Sequence, residues 1–253
     1  MAGQEASSGS QLLSDVDVLL KNAVAFEKNG KYESALMSIE KALSLNENCA
    51  DAWLMKGVVL SKSGKCEESL RCLDRCVALN PNCADAWCLK AATFSTLNLN
   101  DKAADCMSKA VNLDPGNEEL RCNLAVSYQK LKRFDDALKC YEEILKKKPD
   151  DARIHYHVGI MFGNLGNYAN ALDSFEKALR LRPDFTYALI GKGVILAKLG
   201  RIDEAKQCAK KALETKNDPE TAKADESNTV NDSIRKEYAD VSRRFRKSFS
   251  PDL

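Results

Sequence analysis

The sequence predicts an all-α fold, a solenoid of six tandem helix-turn-helix repeats, and three observations predict it. Pro81, Pro115, Pro149 and Pro183 recur at an interval of 34 residues, and a fixed period of that order marks a stack of small supersecondary units. In the same register runs a ladder of small residues, Ala23, Gly57, Ala91, Ala125, Gly159 and Gly193, each followed three positions later by Phe26, Leu60, Phe94, Tyr128, Phe162 or Leu196. A second ladder, Ala35, Ser69, Ala103, Ala137, Ala171 and Ala205, is followed four positions later by Ile39, Leu73, Met107, Tyr141, Phe175 and Ala209. Small residues let two helix backbones approach, and a large side chain of the neighbouring helix fills the space that is left.

The elements follow in order. Residues 1–15 precede the first repeat and read as a disordered segment. The repeats span 16–49, 50–83, 84–117, 118–151, 152–185 and 186–219. Within a repeat the first ladder marks helix A and the second marks helix B. Gly30, Gly64, Gly166 and Gly200 fall between the two helices, where a C-terminal cap requires positive φ. The proline ends helix B before the next repeat begins. The first repeat has Glu47 in the proline position.

These residues resemble the tetratricopeptide repeat family. The fifth copy shows it best, with Gly159, Phe162, Gly166, Tyr168, Ala171, Phe175, Ala178 and Pro183 in order. The third copy departs at Asn98 and Asn100, which replace the glycine and the aromatic residue, and the fourth departs at Arg121 and Lys132. The resemblance implies a right-handed superhelix whose inner wall is built from the A helices. It also implies which residues face the groove. One row reads Leu20, Leu54, Cys88, Cys122, Tyr156 and Ile190, side chains expected to have no helix over them. Beside it runs Val24, Val58, Ala92, Val126, Ile160 and Val194, expected to be mostly packing. An open apolar strip of this length exceeds what monomers usually leave uncovered.

Polar groove positions are sparser. Met55, Leu89, Asn123 and His157 follow the first row, while Lys28, Lys62, Lys130 and Lys198 stand near the ends of the A helices, where the helix dipole favours cations. Asp17, Asp51, Asp85 and Glu119 occupy the mirror-image place at the helix starts, and Arg153 and Tyr187 break that acidic row. The most distinctive stretch is therefore Asn123, Arg153, Tyr156, His157 and Tyr187. Tetratricopeptide domains that grip the acidic C-termini of heat-shock chaperones need Lys and Asn on one A helix, Asn on the next, and Lys with Arg on the third. No window here completes that carboxylate clamp.

Bulk properties bound the function. Lysine and arginine total 38 against 37 acidic residues in 253, so net charge selects neither a polyanion nor a polycation as partner. The N-terminal MAGQEASSGSQLL lacks a basic start and an apolar run of signal length, and no stretch is long and apolar enough for a bilayer. A cytoplasmic location is expected. Ten cysteines contain no CxxC. Cys72, Cys106, Cys140 and Cys208 share one repeat position, and equivalent helices about 8–10 Å apart hold them too far from one another for a relaxed disulfide. Cys72 and Cys76 share a helix face, but no second pair completes a metal site. Reduced, small, apolar thiols are the expectation, with no metal and no cofactor.

Chemistry is scarce. His155 and His157, two positions apart on a helix, point about 200° apart and do not chelate one ion. Phosphate-loop, dinucleotide and nucleophile-elbow motifs are absent. Gly191-Lys192-Gly193 falls inside helix A of the sixth repeat and is explained by packing. No enzyme is predicted.

Residues 220–229 read as a polar linker. Beyond it Val230, Ile234, Tyr238, Val241, Phe245 and Phe249 make one apolar stripe over a helix at 230–250, with Arg235, Lys236, Arg243, Arg244, Arg246 and Lys247 against Glu237 and Asp240. Three roles remain open for it: a cap on the last repeat, a lid folded into the groove, or a basic element for a partner, an acidic surface or nucleic acid. For nucleic acid, Arg243, Arg244, Arg246 and Lys247 supply phosphate charge and Phe245 a stacking ring.

The sequence thus predicts a non-catalytic scaffold or adaptor that takes a peptide or helix of another protein in the groove. The contacts would be Leu54, Cys88, Cys122, Asn123, Arg153, Tyr156, His157, Tyr187 and Ile190. The alternative is a protein associated with nucleic acid or an acidic surface through its C-terminal helix.

Overall fold

A computed structural model describes residues 2–215, with side chains from Asp15 onward. The linker at 220–229, the helix at 230–250 and its cluster Arg243, Arg244, Phe245, Arg246 and Lys247 lie outside the described residues. These fall into two compact units, divided between Leu131 and Lys132. The first holds α1 (Ala2–Lys28), α2 (Tyr32–Leu45), α3 (Ala50–Lys62), α4 (Cys66–Leu79), α5 (Ala84–Thr96), α6 (Asn100–Leu113) and α7 (Glu118–Lys130). The second holds α8 (Phe134–Lys147), α9 (Ala152–Asn164), α10 (Tyr168–Leu181), α11 (Thr186–Lys198) and α12 (Ile202–Thr215).

In the first unit α1, α3 and α5 each pack on the helix that follows, and α2, α4 and α6 pack on the next repeat's helix A. The second unit repeats the arrangement from α8 through α12, with α9 also against α11. One expectation is corrected at the N-terminus. The stretch 1–15 was expected to be disordered, but α1 is helical from Ala2. No proline interrupts that stretch, and once a helix is nucleated each further residue adds a bond at little cost.

The small-residue ladders do what their spacing implies. A methyl group placed on Gly57 would stand 2.8 Å from Leu73, and one on Gly159 would stand 2.8 Å from the Phe175 ring. The ladder residue Ser69 also donates its hydroxyl to the Gly57 carbonyl at 2.8 Å, which satisfies a polar group inside the hairpin.

The turns are equally regular. Gly166 at the A–B corner has φ 77°, and the departures from glycine, Asn98 and Lys132, adopt the same left-handed conformation at φ 58°. Asparagine tolerates this region, whereas lysine pays the clash of its Cβ. Helix B ends on an extended residue, Asn80, Asp114, Lys148 or Arg182, as the residue before a proline must be. Asn46 adopts nearly the same conformation, φ −145° and ψ 94°, with no proline after it, so the turn does not depend on the ring.

One further device has the period of the repeat. Trp53 Nε1 donates to the Glu47 carbonyl at 2.8 Å, Trp87 Nε1 to Pro81 at 3.0 Å, and an Arg121 guanidinium nitrogen to Pro115 at 2.8 Å. His155 Nε2 meets the Pro149 carbonyl at 2.7 Å, so that nitrogen carries the proton. Each bond ties helix A to the loop before it. Ion pairs also recur: Lys56 with Glu40 at 3.5 Å, Lys90 with Asp74 at 2.5 Å and Lys192 with Glu176 at 2.9 Å. Each links helix A to helix B of the preceding repeat.

Candidate groove walls on the A helices

The A helices carry the residues that the resemblance assigns to the groove, and each unit presents its own wall. In the first unit Leu20, Leu54, Cys88 and Cys122 are half-buried, as are Met55, Leu89 and Asn123. The neighbouring row is more open than expected for packing residues. Val24 and Val58 are half-buried, and Ala92 and Val126 are exposed, Val126 by 37%. Asn117 shows how local sequence sets the wall, since its side-chain oxygen accepts from the Glu119 and Leu120 amides at 3.1 and 3.2 Å and starts α7 at a defined residue. Lys62 pairs with Glu27, and Lys130 donates to Ser95 Oγ at 2.6 Å. The lysines near the ends of α3 and α7 thus reach across to the A helix of the repeat before.

In the second unit Tyr156 departs from expectation. Its side chain is only 1% exposed, because four rings close around it: His157 at 5.1 Å, Phe185 at 5.2 Å, Phe175 at 6.1 Å and Tyr187 at 6.4 Å between centroids. Offset and tilted ring pairs at such distances are the favourable ones. Phe185 meets Tyr187 edge-on, with 89° between the ring planes, and the Arg182 guanidinium lies 3.5 Å from the Phe185 centroid. The fold therefore brings Tyr156, His157 and Tyr187 together, with Tyr156 as their buried centre. Ile190 and Tyr187 stay half-buried, while Ile160, in the second row, is buried.

His157 stacks on Tyr141, and enclosure by the rings pushes its pKa down to about 4. The positive charge of Arg153 adds to that effect and Asp151 opposes it. The ring is therefore neutral near pH 7. Arg153 itself is exposed. A guanidinium nitrogen stands 3.5 Å from Asp151, whose other oxygen caps α9 through the Arg153 and Ile154 amides.

Two hollows lie in this unit. An open one of about 480 Å³ is lined by Lys148, Pro149, Asp150, Asp151, Ala152, Arg153 and Arg182. A narrow crevice of about 50 Å³ separates α9 from α11, between Gly159, Gly163 and Gly191, with Asn164 and Lys198 among its lining residues. The glycines let the neighbouring side chains close in around this crevice. A methyl group on Gly191 would stand 2.7 Å from Phe175, and one on Gly163 would stand 3.0 Å from Ile195. Sequence reasoning took Gly159 and Gly191 only as packing, passed over Gly163, and missed Tyr141, Phe185 and Arg182 as parts of the aromatic cluster. Gly163, one turn beyond Gly159 on α9, was the available signal.

All ten cysteines are free thiols. Among the described residues no group of three or more His, Cys, Asp or Glu side chains is placed to hold a metal ion, and no helix is long and apolar enough to cross a membrane.

Residues 25–136 match the family model of the Psidin N-terminal tetratricopeptide region, and residues 122–184 and 165–224 each match a tetratricopeptide repeat model. No curated protein matches the chain. Among solved structures, a tetratricopeptide repeat protein from Parabacteroides merdae is 16% identical, covers 80% of each chain and has a TM-score of 0.68. YrrB, described as a tetratricopeptide protein with an unusual peptide-binding site, is 21% identical over 75% of this chain and 97% of its own, with a TM-score of 0.60. MamA from Desulfovibrio magneticus is 19% identical over 66% of this chain and 94% of its own, with a TM-score of 0.60. At such identities the likeness is one of fold.

Proposed function

Because the chain belongs to the tetratricopeptide repeat family, we propose that it is a non-catalytic scaffold that binds a peptide or helix of a partner protein along its A helices. The observation that carries this reading is the wall of the second unit. There the glycine-lined crevice between α9 and α11 lies on helices that also carry the half-buried side chains of Tyr187 and Ile190, with Lys198 lining it and the open hollow at Arg153 at the start of α9. An apolar side chain of the partner enters the crevice, and desolvation of that contact supplies the affinity. Lys198 orients acidic or carbonyl groups beside it, and Arg153 meets such groups at the start of α9. Tyr156 acts from below, holding Tyr187 and His157 in place. YrrB, which shares the fold and is described as having a peptide-binding site, supports a groove of this type.

The test is selection of binders from a displayed peptide library on the full chain, followed by affinity measurement. Ile190→Asp and Arg153→Glu are each expected to weaken the selected peptides about tenfold or more, the loss of roughly 1.4 kcal/mol. Peptides that bind both variants as tightly as the parent would place recognition elsewhere. A steep loss of binding with added salt would instead favour the basic C-terminal helix as the contact, because phosphate neutralisation releases counterions.

A further inference from the structure

Two cysteines stand at one junction, Cys83 at the position that Cys49 holds in the repeat before. Cys76 lies in α4 at the position where Ala42, Ala110, Ala178 and Ala212 have alanine, and it is 1% exposed. Cys83 stands just before α5, where Asn117 and Asp151 cap their helices with side-chain oxygens, and it makes no such bond. The Asn80 amide donates to the Cys76 carbonyl at 2.8 Å, and the Cys83 amide donates to the Asn80 carbonyl at 3.2 Å. The chain thereby turns through Asn80, Pro81 and Asn82 and folds Cys83 back onto α4. Its side chain packs against the core formed by Leu73, Cys76 and Ala86, near enough for the Cys83 thiol to help raise the pKa of Cys76. Cys49, just before α3, is a third thiol within electrostatic range of Cys76.

We propose that Cys76 and Cys83 form an oxidisable dithiol, in which a hydroperoxide oxidises Cys83 and Cys76 closes an intramolecular disulfide. Cys83 reacts first because it is half-buried and reached by solvent, whereas Cys76 is sealed in the core. The Cys83 thiolate attacks one peroxide oxygen, the O–O bond breaks, and the other oxygen leaves as hydroxide or alkoxide and is protonated. The Cys76 sulfur then attacks the sulfur of the resulting sulfenic acid. The S–O bond breaks, and water departs with the proton that Cys76 gives up. Two thiols are oxidised to one disulfide while the peroxide is reduced to water and an alcohol, or to two waters. Burial pushes the Cys76 thiol up to about 12, so its attack is the slow step and quickens as pH rises. Cys72, Cys106 and Cys208 are also pushed up by burial, but their other influences are lysine, arginine and carboxylate groups rather than a second thiol.

The experiment is hydrogen peroxide treatment of the full chain, alkylation with N-ethylmaleimide in denaturant, and non-reducing peptide mapping. The expected product carries Cys76 and Cys83 joined, two hydrogens lighter, with Cys49 and Cys88 alkylated. Two variants restore what other repeats carry and so keep the fold: Cys76→Ala and Cys83→Asn. In Cys76→Ala the bridge is lost and dimedone traps Cys83 as sulfenic acid. In Cys83→Asn the bridge is lost and Cys76 is recovered as an alkylated thiol. A bridge from Cys76 to Cys49, or full alkylation of Cys76 in the oxidised parent, overturns the proposal.

Discussion

The imidazole of His157 lies flat against the phenol ring of Tyr141, with centroids 5.3 Å apart and planes 8° from parallel. A neutral ring suits that stack, and protonation would place a charge among Tyr141, Tyr156 and the field of Arg153. With a folded pKa of about 4 against 6.5 unfolded, the unfolded chain takes up a proton that the folded one resists. Stability is therefore unaffected above pH 6.5 and falls as pH drops from 6.5 toward 4, by a total of about 3 kcal/mol. Denaturant titrations at pH 7 and pH 4.5 on the parent and on His157→Phe check this. The difference between the two proteins should change with pH in that window, and a constant difference would contradict a neutral, half-buried ring.

Gly159→Ala tests the close approach of α9 and α10. Alanine is the better helix former by about 1 kcal/mol, yet its methyl would stand 2.8 Å from Phe175. Overpacking of that kind costs about 1–3 kcal/mol, so a net loss is expected in the midpoint of thermal or denaturant unfolding. Unchanged or raised stability would mean that Phe175 moves aside freely.

Lys132→Gly makes the opposite change at a corner. Lys132 is exposed and held at φ 58°, a conformation that glycine adopts without strain. The variant should be more stable by about 0.5–1 kcal/mol once the extra chain entropy of glycine is subtracted. Equilibrium unfolding measures it directly.

Most of the fold was legible because the repeat period exposes it six times over. Gly57 and Leu73, or Gly159 and Phe175, could be paired from spacing alone, since small and large ladders in phase leave one way to interlock the helices. The candidate site was less legible. Tyr156 was read as a groove residue from its repeat position, which fixes direction but not the size of neighbouring side chains. Phe185 and Tyr187 close against it, and although the register names Tyr187, no periodicity announces Phe185. Arg121 and His155 looked like a departure and a bystander until both proved to bond the loop carbonyl that Trp53 and Trp87 bond in their repeats. Tryptophan, arginine and histidine share little as letters, but each reaches the same place with an N–H.

The edge of the Phe175 ring lodges against both Gly159 and Gly191, one in its own hairpin and one in the next. A ring held there cannot turn over unless both contacts loosen together. Its flip rate, read from exchange broadening of the ring protons, would therefore act as a clock for the local breathing of two neighbouring hairpins.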